Sequence, residues 1–97
     1  MLDLKPEYLE EVRSILRSHL PNAHAWAYGS RVQGRAKRFS DLDLAVKAEK
    51  ELGLSEMFAI KDAFSESDLP IRVDVLDLHC VSPEFLAEIE DQLVPVV

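Results

Sequence analysis

The stretch AHAWAYGSRVQGRAKRFSDLDLAVK, residues 23–47, organises the rest of this chain. It opens with an apolar run, Ala23 to Tyr28, that reads as a buried strand and breaks at Gly29-Ser30. After a cationic loop comes a second strand, Asp41 to Lys47. Its alternation puts Leu42, Leu44 and Val46 on one face and Asp41, Asp43 and Ala45 on the other. The link between the two strands, about a dozen residues, is near the minimum for a parallel crossover, so the spacing favours antiparallel pairing within a mixed sheet. Gly29 permits a positive φ or the close approach of a ligand. Ser30 is expected to cap a short helix over residues 30–36, turning backbone N–H groups and a hydroxyl toward an anion.

On the N-terminal side, residues 5–20 read as a helix. Pro6 suits its first turn, and Leu9, Val12, Leu16 and Leu20 form an apolar stripe that Pro21-Asn22 ends. On the C-terminal side, residues 54–65 read as a second amphipathic helix with Leu54, Met57, Phe58 and Phe64 inward. Ile71 to Leu78 is a third strand, rich in β-branched residues. Ser82 caps a last helix that Pro83 opens, with Phe85, Leu86, Ile89 and Leu93 as its stripe. Trp26 is expected in the core. The order α-β-α-β-α-β-α describes an α/β (α+β) fold, a small mixed β-sheet covered by helices, expected to form a single domain over residues 1–97.

Composition narrows the function. A chain of 97 residues with a net charge of −7 lacks the basic face of a general nucleic-acid binder or of a protein held on anionic membrane. Cys80 is alone and cannot form an internal disulfide, which suits a reducing compartment. No apolar run reaches membrane-spanning length, and residues 1–20 lack the apolar region of a signal peptide, so a cytoplasmic protein is expected. His19, His24 and His79 show no metal-ligand spacing and lie on different elements.

The chemistry gathers in the carboxylates. Asp41 and Asp43, two apart on a strand, share a face; they repel each other unless a cation lies between them, and a hard divalent ion takes such oxygens while keeping positions open for substrate phosphates. Asp74 interrupts the apolar third strand, where a charge is costly unless paired or metal-bound. A third carboxylate there can complete a metal site or take the proton of an attacking hydroxyl. Arg31, Arg35, Lys37 and Arg38 put four cations within eight residues of an acidic chain. They can neutralise a triphosphate or simply be solvated; the roles of Arg35, Lys37 and Arg38 stay open.

Gly29-Ser30-Arg31-Val32-Gln33-Gly34 followed by Ser40-Asp41-Leu42-Asp43-Leu44-Ala45-Val46 resembles the signature of the DNA polymerase beta-like nucleotidyltransferase superfamily, most closely its minimal nucleotidyltransferase (MNT) group. The resemblance extends over most of the chain, and Val32 and Gln33 depart mildly from the commonest residues of that loop. It implies that Gly29, Ser30, Arg31 and Gly34 bind the nucleotide, and that Asp41, Asp43 and Asp74 are catalytic and hold two Mg²⁺ ions, with ATP as substrate. It further implies a HEPN-domain toxin as partner, for which this chain is the antitoxin, transferring AMP to a tyrosine of the toxin. Two alternatives stay open: an antitoxin that neutralises its partner by binding alone, and a nucleotidyltransferase acting on a small molecule such as an antibiotic. The latter is disfavoured because the chain stops soon after its last helix, leaving no room for a substrate domain unless a homodimer or a partner supplies the pocket.

Overall fold

The computed structural model describes residues 2–97. The first helix, α1 (Pro6–His19), starts with proline in its first turn and ends at Leu20, whose N–H donates to Leu16 O at 2.7 Å. Strand β1 (His24–Tyr28) follows, then β2 (Leu42–Lys47), helix α2 (Leu54–Ser65) and strand β3 (Val73–Asp77). A 3₁₀ turn over Leu78–Cys80 leads to helix α3 (Pro83–Ile89) and a two-residue strand, β4 (Val94–Pro95). Ser82 caps α3, its hydroxyl accepting from Phe85 N–H at 3.1 Å, which satisfies a donor that the first helical turn leaves free.

The sheet has the order β3-β2-β1-β4. β1 runs antiparallel to β2 and to β4, while β2 and β3 are parallel. The mixed sheet and the antiparallel first pair therefore follow the sequence reading. Leu42, Leu44 and Val46 of β2, with Ala25 and Ala27 of β1, are buried against Val12 and Leu16 of α1 and Ile60 and Phe64 of α2. α1 and α2 thus cover one face. On the other, Ala45 and Ile89 are buried outside this cluster, and Phe85 of α3 meets Tyr28 edge-on, ring centroids 6.1 Å apart.

Four expectations change. Residues 30–36 form no helix: the backbone closes successive turns, with Val32 N–H bonded to Gly29 O, and Gln33 and Arg35 N–H both to Ser30 O. Gly34 then takes φ +71°, a left-handed conformation that stops a right-handed helix. In α2 the inward seam is Met57, Ile60 and Phe64; Leu54 and Phe58 are 92% and 75% exposed. Each helical residue turns about 100°, which carries Phe58 away from a seam centred on Ile60 and Phe64. Trp26 is half-buried on the sheet's second face, between Ala45 and Pro95, and not in the core. β4 was not anticipated at all.

Among the described residues, no helix is long and apolar enough to cross a membrane.

Candidate active site

Register builds the site. Tyr28 pairs with Asp43 across β1 and β2, and Asp43 pairs with Asp74 across β2 and β3. Paired residues of neighbouring strands share a face, so the three side chains form one row on the face opposite the main core. Asp41 precedes β2 on the parity of Asp43, at the same end of the sheet. The sequence alternation therefore holds: the two carboxylates of the Asp-x-Asp motif and that of Asp74 come together, although the strands that carry them lie about thirty residues apart in the chain.

Electrostatics records that proximity. Burial, then the charges of Asp74 and Asp41, push the Asp43 carboxyl above its ordinary value, with Arg72 opposing. Tyr28 is raised to about 12, by burial first and then by Asp43 and Asp74. The row is thus a concentration of negative charge under strain from its own repulsion, which is the environment that a divalent cation relieves. Three carboxylates supply the oxygen donors that Mg²⁺ takes. Among the described residues, however, no three acidic or histidine side chains yet converge as a formed metal cage.

The Gly29-Ser30 turn lies at the end of β1, immediately after Tyr28. Gly29 has φ +84°, and a side-chain carbon there would overlap the Asp43 carboxylate. Glycine thus suits the position twice: for its backbone angle and for the room it leaves the Asp43 side chain. Its N–H donates to Gln92 Oε1 at 2.7 Å, so a residue from the C-terminal segment fixes the turn. The N–H groups of Ser30 and Arg31 have no acceptor among the described residues.

Arg31 turns its side chain inward. It is 6% exposed, and its guanidinium donates to three backbone carbonyls: Ser40 O at 3.0 Å, Asp3 O at 2.8 Å and Arg38 O at 3.2 Å. It ties the loop, the N-terminal segment and the entry to β2 together. Gly34 points to open space and serves the turn. Arg35 bonds to Gln33. Lys37 and Arg38, with Lys5, Tyr8 and Phe39, line a cavity of about 300 Å³ whose walls include none of Asp41, Asp43 and Asp74.

Sequence reasoning missed three residues. Tyr28 heads the row, which only the register reveals. Gln92 reaches Gly29 across 63 positions, and no local pattern announces that. Arg72 bonds Asp74; it stands two residues before it on the same strand parity, a signal that was available. Outside the site, Asp77 is buried and accepts from Leu52 N–H at 2.8 Å and His79 N–H at 2.9 Å. Cys80 donates its thiol hydrogen to Glu51 and is raised to about 11 by that bond, by desolvation and by nearby acidic charge, so it is a poor nucleophile at neutral pH.

Known proteins resemble this chain in sequence and fold. The family described as "Polymerase beta, Nucleotidyltransferase" matches residues 10–96. A Haemophilus influenzae protein named "Probable protein adenylyltransferase MntA" is 50% identical over 84 residues, which is 87% of this chain and 74% of the relative. A chain in the crystal structure of a toxin–antitoxin with AMP-PNP superposes with a TM-score of 0.78 at 26% identity, over 92% of this chain and 72% of that one. A chain in the structure of a tri-AMPylated Shewanella oneidensis HEPN toxin with its MNT antitoxin shares the fold, with a TM-score of 0.72 at 20% identity, over 97% of this chain and 72% of that one.

Proposed function

Since the chain belongs to the polymerase beta nucleotidyltransferase family, we propose that it is an antitoxin that transfers AMP from ATP to a HEPN-type toxin. The observation that carries this is the alignment of Asp43 and Asp74 in one cross-strand row, with Asp41 beside them, next to a glycine turn with free N–H groups. The name of the Haemophilus influenzae relative and the AMP-PNP in the toxin–antitoxin structure support the nucleotide and the protein acceptor. The HEPN toxin in the Shewanella oneidensis complex supports the kind of partner.

In this reading the N–H groups of Ser30 and Arg31 receive the triphosphate, and Gly29 lets it approach β1. Arg31 acts by holding the loop in shape. Asp41, Asp43 and Asp74 would hold Mg²⁺, which when bound supplies charge neutralisation at the attacking and leaving oxygens. Asp74, on the outer strand, faces the acceptor and takes its hydroxyl proton. The acceptor oxygen bonds to the α-phosphorus as the bond to the β-phosphate breaks, and pyrophosphate leaves. ATP supply places this chemistry in the cytoplasm.

The test is label transfer. With MgCl₂, ATP labelled at the α-phosphate and a HEPN-domain partner, label is expected on the partner. Asp41→Asn or Asp43→Asn should lower the rate at least about 100-fold, the scale on which removing one preorganised charge-stabilising group acts. Full activity in either variant overturns the assignment. Complex formation without label would support an antitoxin that acts by binding alone.

A further inference from the structure

Arg72 touches two of the three carboxylates. Its Nε and Nη2 donate to Asp74 Oδ1 at 3.2 and 3.0 Å, and Nε lies 3.8 Å from Asp41 Oδ2. Its side chain is 73% exposed, so it is anchored by these acids and not by packing. The guanidinium therefore lies between two of the three carboxylates. Asp74 is turned to meet it, and the acidic side chains do not converge on a common point.

We propose that Arg72 is a displaceable counter-ion, competing with a divalent cation for Asp41 and Asp74, so that the site takes up metal only as the guanidinium lets go. The inference rests on reading Asp41, Asp43 and Asp74 as metal ligands. Its physical basis is simple. A carboxylate oxygen bonded to a guanidinium has given up part of its lone-pair density, and a second positive charge a few ångströms away repels an arriving cation. Exposure makes the exchange cheap, because an open ion pair is weak and the released side chain is solvated at once. The arrangement lets the folded chain tolerate its carboxylates before metal arrives, at the expense of metal affinity.

Mn²⁺ binding to the full chain, measured by calorimetry, tests this, alongside thermal unfolding in EDTA. Arg72→Met is expected to bind Mn²⁺ about 2- to 5-fold more tightly than the unaltered chain, the scale of an exposed ion pair, and to unfold at lower temperature without metal. Arg72→Lys, which keeps the charge but not the forked reach, should fall between them. Added KCl should shrink all these differences. Equal or weaker Mn²⁺ binding by Arg72→Met overturns the competition and leaves the carboxylates as ligands. Absence of Mn²⁺ binding in all three proteins overturns the metal reading and the competition with it.

Discussion

A methyl group separates two outcomes at the glycines of the turn. Gly29 and Gly34 both have positive φ, but only Gly29 has the Asp43 carboxylate where a side chain would go. Gly34→Ala should cost about 1–2 kcal/mol, the penalty of a left-handed backbone. Gly29→Ala should cost more, because Asp43 must also move, and should abolish transfer; urea unfolding of the two variants side by side checks the ranking. Asp43 itself illustrates the tension between stability and chemistry. Its carboxyl is raised by burial and by its acidic neighbours, so the folded state holds that proton more tightly than the unfolded chain. The group favours folding only below the ordinary carboxylate range. That contribution is lost as pH rises through the folded value, and at neutral pH the charge is a cost. Asp43→Asn should therefore raise the melting temperature at pH 7. The gain should shrink at pH 4; a gain independent of pH would contradict the electrostatic cause. That Asp41, Asp43 and Asp74 share one face was legible in the sequence because period-two alternation is strict. The inward turn of Arg31 was not, because the carbonyls it binds belong to Asp3, Arg38 and Ser40, and no spacing rule brings those together.

The starts of the helices were legible, since proline and cap residues mark them locally: Pro6, Ser82 and Pro83 stand where α1 and α3 begin, whereas α3 stops at Ile89, a turn short of the Leu93 expected in its stripe. The facing of α2 was only half legible: Met57 and Phe64 face the core as expected, whereas Leu54 and Phe58 do not. Leu54 and Phe58 are four apart, and so are Ile60 and Phe64; each pair makes an acceptable stripe, and only the packing of α1 against α2 chooses between them. The choice has measurable consequences. Ile60→Ala should cost about 2–5 kcal/mol, as a cavity in a closed core does. Phe58→Ser should change stability by no more than about 0.5 kcal/mol, because its ring is already in water. Chemical denaturation of both variants distinguishes the observed seam from the one the stripe suggested. The segment after Gly29 looked helical for a related reason. Ser30 is a good cap, but a cap needs a turn to follow it, and Gly34 bends the backbone the other way.

At the scale of the whole molecule, the antiparallel start of the sheet could be read from the short link between β1 and β2. β4 could not: two residues carry no periodicity, and the strand exists because Val96 and Val97 N–H and Val97 O find Ala25. Gln92, in the same segment, then reaches Gly29, so the end of the chain steadies the turn that begins the site. The order β3-β2-β1-β4 leaves β3 and β4 as the two borders of the sheet. An unpaired border can recruit the border of a second molecule and seed stacking of copies, and proteins blunt this hazard with charge or proline. β4 has Pro95. β3 has Asp74, with Arg72 just before it. The acid assigned to proton transfer therefore also guards a sticky margin, and an uncharged β-former at that position would cost the protein its solubility as well as its chemistry. Asp74→Val should scatter light increasingly with concentration and time at neutral pH, whereas Asp41→Asn, away from that margin, should stay clear.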